Sequence, residues 1–456
     1  MILLKNCMRL ATFDEDGAEY DGYDVLIEGN VIARVAQNIE LSAEESERCE
    51  SIDCSRFLVM PGFVNTHHHL YQTLTRNLPG AQDAKLFDWL QYLYPIWARL
   101  DADGVYYSTL LGCAELLKTG ATTTTDQMYL YPKDFDGDIM DIQFEAAEKL
   151  GIRFSPSRGS MTRGQSDGGL PPDAVVQSTA EVLRDQQRVI EKFHDSSPLA
   201  MRRIVLAPCS PFSVEESVMS ETAELAREYG VMLHTHLVET LDEERFCIEQ
   251  YGMRPLALME KVGWLGDNVY FAHGIWFNDE ELALLAETRT GISHCPTSNM
   301  RLGSGIARIK EMLDMGIRIG LGVDGAASND SSDMLGEVRN AMLLQRVKYG
   351  ADALTARQAL YFAIRGGADL LGFPKLGTIE KGMGADIIMF DMHQLQYAGA
   401  LSDPLAAIVF AGYKHEVAYS IVNGNIVVRN GELVGFDEDE IITKANEAAM
   451  RLLRNE

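Results

Sequence analysis

The sequence predicts an α/β chain: a TIM-like (β/α)8 barrel joined to a small β-sandwich built from both chain ends. Three observations lead there. Between residues 61 and 375, strand-like apolar runs alternate with longer segments of helical spacing, eight β-then-α units in all, which is the pattern of a (β/α)8 barrel. Short β-branched runs with hairpin turns stand near both ends of the chain, and segments of matching type are expected to pair. Histidines and acids stand at the ends of several central runs, where a barrel of this kind places its chemistry. The expected division is 1–60 for the first part of the sandwich, 61–375 for the barrel, and 376–456 for the second part plus a C-terminal helix.

Taken in order, Asp24 to Val35 is two β-branched runs joined at Gly29-Asn30, which is hairpin chemistry. The opening barrel strand is Leu58 to Asn65, running into His67-His68-His69. The later strands are Ala121 to Asp126, Ile152 to Ser157, Ile204 to Pro208, Val231 to His236, Val269 to His273, Gly291 to Cys295 and Ile317 to Asp324. Segments such as Ser217 to Tyr229, Asp279 to Glu287 and Ala307 to Met315 carry the apolar spacing of amphipathic helices. Gly384 to Asp391 is an apolar strand bounded by acids, and Glu416 to Val422 turns at Asn423-Gly424 into a partner that ends at Arg429. Asp437 to Leu453 opens with acidic residues and reads as a docking helix.

Composition narrows the function classes. Apolar residues make up 46% of the 456, enough for a substantial core and against disorder. No window is long and apolar enough to span a bilayer, and the apolar run at Met1 to Leu4 is too short for a signal peptide, so a cytoplasmic protein without membrane partners is expected. Seven scattered cysteines without a Cys-x-x-Cys pair argue against both a disulfide framework and a thiolate zinc site. A formal charge of −27 favours solubility and repels phosphate backbones, which excludes nucleic acid and leaves a small uncharged or weakly charged molecule as partner.

The period of two along a strand points His67 and His69 the same way and His68 the other. His234 and His236 share a face at the fifth strand end; the three-residue step to Glu239 favours His236 as the ligand and leaves His234 in the packed barrel interior. His67, His69, His236 and Asp324 form a nitrogen and oxygen set that suits one Zn2+, or Fe2+, with a position left for water. Such an ion lowers the pKa of water from about 15.7 toward about 7. Glu239 is placed to shuttle a proton, and Asp324 and His273 to hold the attacking oxygen and polarise the electrophile. His294 either touches substrate or metal or stabilises the seventh strand end. His68 is assigned to the outer strand face, and His194, His393 and His415 to the surface.

Pro61 to His69, His236-Leu237-Val238-Glu239, Ala272-His273-Gly274, His294 to Asn299 and Gly322-Val323-Asp324-Gly325 together resemble the amidohydrolase superfamily. Lys381 to Asp386 and Val422-Asn423-Gly424 resemble its C-terminal signatures, so the likeness covers nearly the whole chain. The resemblance implies a mononuclear site, because two-metal members bridge their ions with a modified lysine ending the fourth strand, where this chain has Leu206-Ala207-Pro208-Cys209. The segments His67 to Pro79, Phe87 to Leu100, Ser157 to Pro172 and Ala207 to Val214 are most similar to bacterial 8-oxoguanine deaminases, with triazine hydrolases next. Guanine deaminases share Gln72, which by that likeness hydrogen-bonds the ring. They carry an arginine where this chain has Cys209, which points away from guanine toward an oxidised or altered ring. Asp126-Gln127-Met128-Tyr129 departs from the deaminase pattern, which tends to have histidines there; some triazine hydrolases have glutamine.

Trp89, Tyr92, Tyr94 and Trp97 follow the first strand where a lid would lie, as aromatic faces for a flat heterocycle or as packing between helices. Arg158, ending the third strand, either binds a ring carbonyl or pairs with an acid. The expected substrate contacts are Gln72, Arg158, Cys209 and Trp97. The expected reaction is metal-dependent hydrolytic deamination of an aminated purine-like heterocycle, 8-oxoguanine first, with a triazine or pterin amino- or chlorohydrolase as the alternative. A non-catalytic barrel scaffold is a third reading, against which the full ligand set and acid stand. Barrels of this kind commonly pair through an exposed helical and sandwich surface, so a homo-oligomer is expected.

Overall fold

In the computed structural model, which describes residues 1–454, ten parallel strand segments form one sheet. We number its strands β1 (Phe63–Asn65), β2 (Ala121–Thr124 continued by Gln127–Met128), β3 (Arg153–Phe154 continued by Ser157–Ser160) and β4 (Val205–Pro208). They continue as β5 (Met232–Leu237), β6 (Val269–His273), β7 (Gly291–His294) and β8 (Ile319–Leu321). The first halves of β2 and β3 pair with each other, and so do their second halves. Leu321 of β8 pairs with Asn65 of β1. The sheet thus returns on itself in a TIM-barrel-like ring with helices outside. The interruption in β3 falls at Pro156, which has no N–H to give the ladder.

The opening strand departs from expectation. Leu58 to Asn65 is not one strand. Phe57–Pro61 lies antiparallel to Ile387–Asp391 and parallel to Arg9–Ala11 in a separate seven-stranded sheet, and only Phe63–Asn65 enters the ring. Gly62 makes the crossing: a Cβ there would stand 2.2 Å from Thr122 Oγ1, and its N–H donates to the Asp386 carbonyl. Both halves are buried on both faces, so an alternation pattern could not separate them.

Segments from both chain ends build two further sheets. One has four strands, in the order Val31–Gln37, Tyr23–Glu28, Ile2–Cys7 and Glu50–Asp53. The other runs from Glu432–Leu433 through Asn425–Arg429, Tyr419–Val422, Ile387–Asp391, Phe57–Pro61 and Arg9–Ala11 to Glu19–Tyr20. Leu4, Val25 and Ile27 of the first pack with Val59, Ile387, Met389 and Ile421 of the second in one apolar layer.

Five helices matter below: α1 (Leu86–Trp97), α2 (Ala102–Lys118), α3 (Leu241–Tyr251), α4 (Met334–Tyr349) and α5 (Glu438–Arg454). The expected docking helix is α5; it buries Ile441, Ala445, Ala448 and Leu452 along one stripe, packs on α2, and its Glu438 pairs with Lys118 at 2.6 Å. No helix among the described residues is long and apolar enough to cross a membrane.

Candidate active site

Beyond β1 the chain stays extended through Thr66 to His69 and then turns tightly over Leu70–Thr75. Asn65 holds this exit: its amide donates to Thr124 Oγ1 at 3.0 Å and its Oδ1 accepts the Val323 N–H at 2.9 Å. Asp126 braces the next turn by accepting the Leu70 N–H at 2.6 Å and the Gln143 amide at 2.8 Å. His67 and His69 therefore face into the barrel mouth, as the period of two requires. His68 turns the other way, is buried, and meets Ser332 Oγ at 3.1 Å.

Hydrogen bonds behind the histidines decide which ring nitrogen faces inward. A carbonyl can only accept, so Nδ1–H of His69 donates to Gln127 O (2.9 Å) and Nδ1–H of His236 to Cys209 O (2.6 Å). Nδ1–H of His234 donates to Tyr270 O at 3.1 Å, which leaves His234 Nε2 to accept from His67 Nδ1–H at 2.8 Å. All three front-rank imidazoles thus aim a lone pair on Nε2 at one point. His69 and His236 bring theirs within 3.1 Å of each other, and His67 Nε2 is buried without a hydrogen-bond partner. Facing lone pairs in a dry site repel unless a cation lies between them. Burial lowers the proton affinity of all three, and of His69 to about 3, so the rings stay neutral and ready to ligate.

Asp324 completes this set, with Oδ1 3.3 Å from Nε2 of both His67 and His69. Burial pushes its carboxyl up, but the ring of His67, followed by those of His273 and His69, outweighs burial and holds it well below the usual range. The donor groups His67, His69, His236 and His67, His273, Asp324 each lie close enough to bind one ion. The site fits a metal.

Glu239 sits beside this centre, one Oε2 3.5 Å from His273 Nε2 and the other oxygen accepting from Ser304 Oγ at 3.2 Å. Burial raises its pKa, against the charge of His273. Asn299 Oδ1 accepts from His273 Nδ1 at 2.9 Å, turning Nε2 toward both carboxylates; burial opposes charging that ring, but Glu239 and Asp324 raise its pKa. Three of the residues here have left-handed backbone, Val238 at φ 53°, His273 at 70° and Asp324 at 63°. Strain of that kind clusters at working sites.

A narrow pocket opens onto these groups. Its walls are Gln72, Tyr129, Cys209, Phe212, Leu302 and Ser328, with Leu86, Trp89, Leu90 and Tyr94 of α1 above. Gln72 and Cys209 thus lie where the sequence places them, and Gln72 Oε1 is buried without a partner. Trp97 and Arg158 do not line it. Trp97 is fully buried behind the wall, its indole N–H on Thr75 Oγ1 at 3.0 Å and its ring edge-on to Tyr71 and Trp89; Trp89 takes the lid position instead. Arg158 pairs with Asp185 at 2.6 Å, donates to Gln177 and lies 3.7 Å from the Tyr131 ring centre, so its acid-pairing alternative holds. His294 is buried, belongs to neither metal-binding group and does not reach the cavity. His194 and His415 are half-buried rather than on the surface: His194 Nδ1 accepts the Ile204 N–H, and His415 pairs with Asp333. His393 is exposed. Ser304 and Ser328 carry no sequence signal of their own: Ser304 comes from a loop far along the chain and Ser328 from the short helix that follows Asp324.

The amidohydrolase family profile matches residues 58–427. An 8-oxoguanine deaminase of Pseudomonas aeruginosa is 43% identical over 97% of this chain and 98% of its own length. A hydroxydechloroatrazine ethylaminohydrolase of Pseudomonas sp. strain ADP is 36% identical over 98% of this chain and 94% of its own. The crystal structure of atrazine chlorohydrolase from Arthrobacter aurescens TC1 complexed with zinc superposes with a TM-score of 0.94 at 32% identity, covering 98% of this chain and 100% of that one.

Proposed function

The chain belongs to the amidohydrolase family, and from that premise we propose that it deaminates an aminated purine-like ring by metal-dependent hydrolysis, with 8-oxoguanine as substrate. It is a hydrolase acting on carbon–nitrogen bonds. The observation that carries the proposal is the meeting of three inward-facing Nε2 atoms, Asp324 and a buried Glu239 at the floor of a cavity walled by Gln72, Cys209 and aromatic rings. His67, His69, His236 and Asp324 would hold one Zn2+ per chain, or Fe2+. Bound there, such an ion acidifies water and polarises the carbon under attack.

Glu239 takes the proton of the attacking water and returns it to the ring nitrogen, then carries the remaining hydroxyl proton of the tetrahedral carbon to the amino group, so that the carbon–nitrogen bond breaks and ammonia leaves; a carboxyl with a raised pKa is suited to both transfers. His273, its Nδ1–H held by Asn299 and its second nitrogen protonated beside Glu239 and Asp324, points Nε2–H at the negative charge that develops as the ring carbon becomes tetrahedral. Gln72 offers an amide to the ring edge. Cys209, in place of a cation, leaves room for a neutral oxidised ring. Trp89 and Tyr94 cover the flat face.

Triazine and pterin hydrolysis is the second reading, favoured by Gln127 after Asp126. Ammonia release from 8-oxoguanine, guanine, isoxanthopterin and aminotriazines, measured side by side, separates the two. Glu239→Gln is expected to lower turnover of the true substrate by about 10²- to 10⁴-fold while metal content is unchanged; retained activity would sink the shuttle role. The same reading takes the two end-built sheets as one small β-sandwich, divided from the barrel near residues 60 and 376 and supported by their common apolar layer. It also places the enzyme in the cytoplasm and pairs it with a second copy.

A further inference from the structure

Glu243 lies in the first turn of α3, is fully buried, and has no basic partner among the described residues. Its two oxygens accept the backbone N–H groups of Val238 (2.9 Å) and Glu239 (3.2 Å). A glutamate at this helix position ordinarily bonds the N–H of the cap residue, here Thr240. Glu243 reaches past it, and Thr240 Oγ1 has no partner. Helix capping therefore does not account for this carboxylate.

Val238 is a β-branched residue at φ 53°, a conformation that only glycine adopts at no cost. Its carbonyl is gripped from the other side by the N–H groups of Ile275 (3.0 Å) and Trp276 (3.2 Å) in the turn after β6. The chain leaving β5 is thus held by carbonyl and by amide, and the held turn is the one that swings Glu239 out of the strand line toward His273 and Ser304. Without the pair of acceptors on Glu243, the strained turn would relax and two buried amides would be left without partners.

We propose that Glu243 is a positioning residue for Glu239, its carboxylate clamping the left-handed Val238 turn that carries the shuttle. The inference rests on the reading of Glu239 as proton shuttle. It predicts that the clamp is dispensable once the strain is removed.

The test uses metal-loaded full-length protein as wild type, E239Q, E243Q, E243A and E243A/V238G, with three readouts. These are kcat and KM for ammonia release from 8-oxoguanine, metal per chain, and backbone hydrogen exchange across residues 237–241. E243A should lower kcat about 10- to 100-fold with KM and metal content little changed, the loss expected for a group displaced by an ångström. Exchange across the turn should quicken, and E243Q, which keeps one acceptor, should fall between. Adding V238G should restore most of the lost kcat, which a general loss of fold would not allow. Wild-type kcat in E243A beside an inactive E239Q would overturn the clamp alone. So would unchanged exchange, or a failure of V238G to rescue. Full activity in E239Q would overturn the shuttle reading and the clamp with it.

Discussion

His234 touches no cavity, yet it determines how His67 faces the centre. With its own N–H committed to Tyr270 O, its Nε2 accepts the hydrogen bond of His67 Nδ1–H and so leaves the His67 Nε2 lone pair bare. His234→Phe should weaken metal binding by about 10- to 100-fold in a chelator competition, with the fold kept; unchanged affinity would show that His67 orients itself. His415 makes a second prediction. The hydrogen bond to Asp333, and then its charge, raise the imidazole pKa against partial burial, and Asp333 also caps α4 through the Gly336 N–H. A folded pKa above the unfolded value of about 6.5 means full stabilisation below about pH 6.5, lost as pH rises through the folded value. Thermal midpoints of wild type and His415→Gln should therefore differ most near pH 6 and converge toward pH 9. His67, His69, His236, Glu239, His273 and Asp324 were readable from the sequence because each stands at or just past a strand end. Strand-end position gives height in the barrel, not the direction of a side chain, and for that reason Arg158 and Trp97 were misplaced. Glu243, Ser304 and Ser328 left no sequence signal, since their roles depend on which backbone and side-chain groups the fold brings against them.

At the scale of elements, close approach at the strand ends makes the site possible. A Cβ at Gly322, just past β8, would lie 2.5 Å from His67 Cβ and 2.9 Å from Ser293 Oγ. Gly322→Ala should cost about 1–3 kcal/mol of stability, and because the displaced neighbour is the ligand backbone, metal content should fall as well; denaturation and metal analysis of one preparation check both. The periodic pattern located every barrel strand within a few residues. It could not show that Leu58 to Asn65 serves two sheets, because the residues on either side of Gly62 are equally apolar and buried. Nor could it show the breaks in β2 and β3, where Asp126 leaves the ladder to hold the turn after His69 and Pro156 has no proton to give.

Over the whole molecule, the two chain ends meet in sheets that pass Phe57–Pro61 directly into β1, so the end-built layer anchors the strand that delivers His67 and His69. Pairing of the ends was legible because hairpin turns of the same kind recur near both; closure of the ring followed from counting strands. The charge of −27 and the lining of the cavity by Gln72, Cys209 and aromatic rings support the proposed uncharged heterocycle as ligand. The activity proposed for the site is hydrolytic removal of an amino group from a heterocycle. The most direct test is ammonia released by the purified, metal-loaded protein from 8-oxoguanine. Release of one ammonia per ring consumed, abolished in E239Q at equal metal content, is the predicted result; no ammonia from 8-oxoguanine by a fully metallated, folded protein would contradict it.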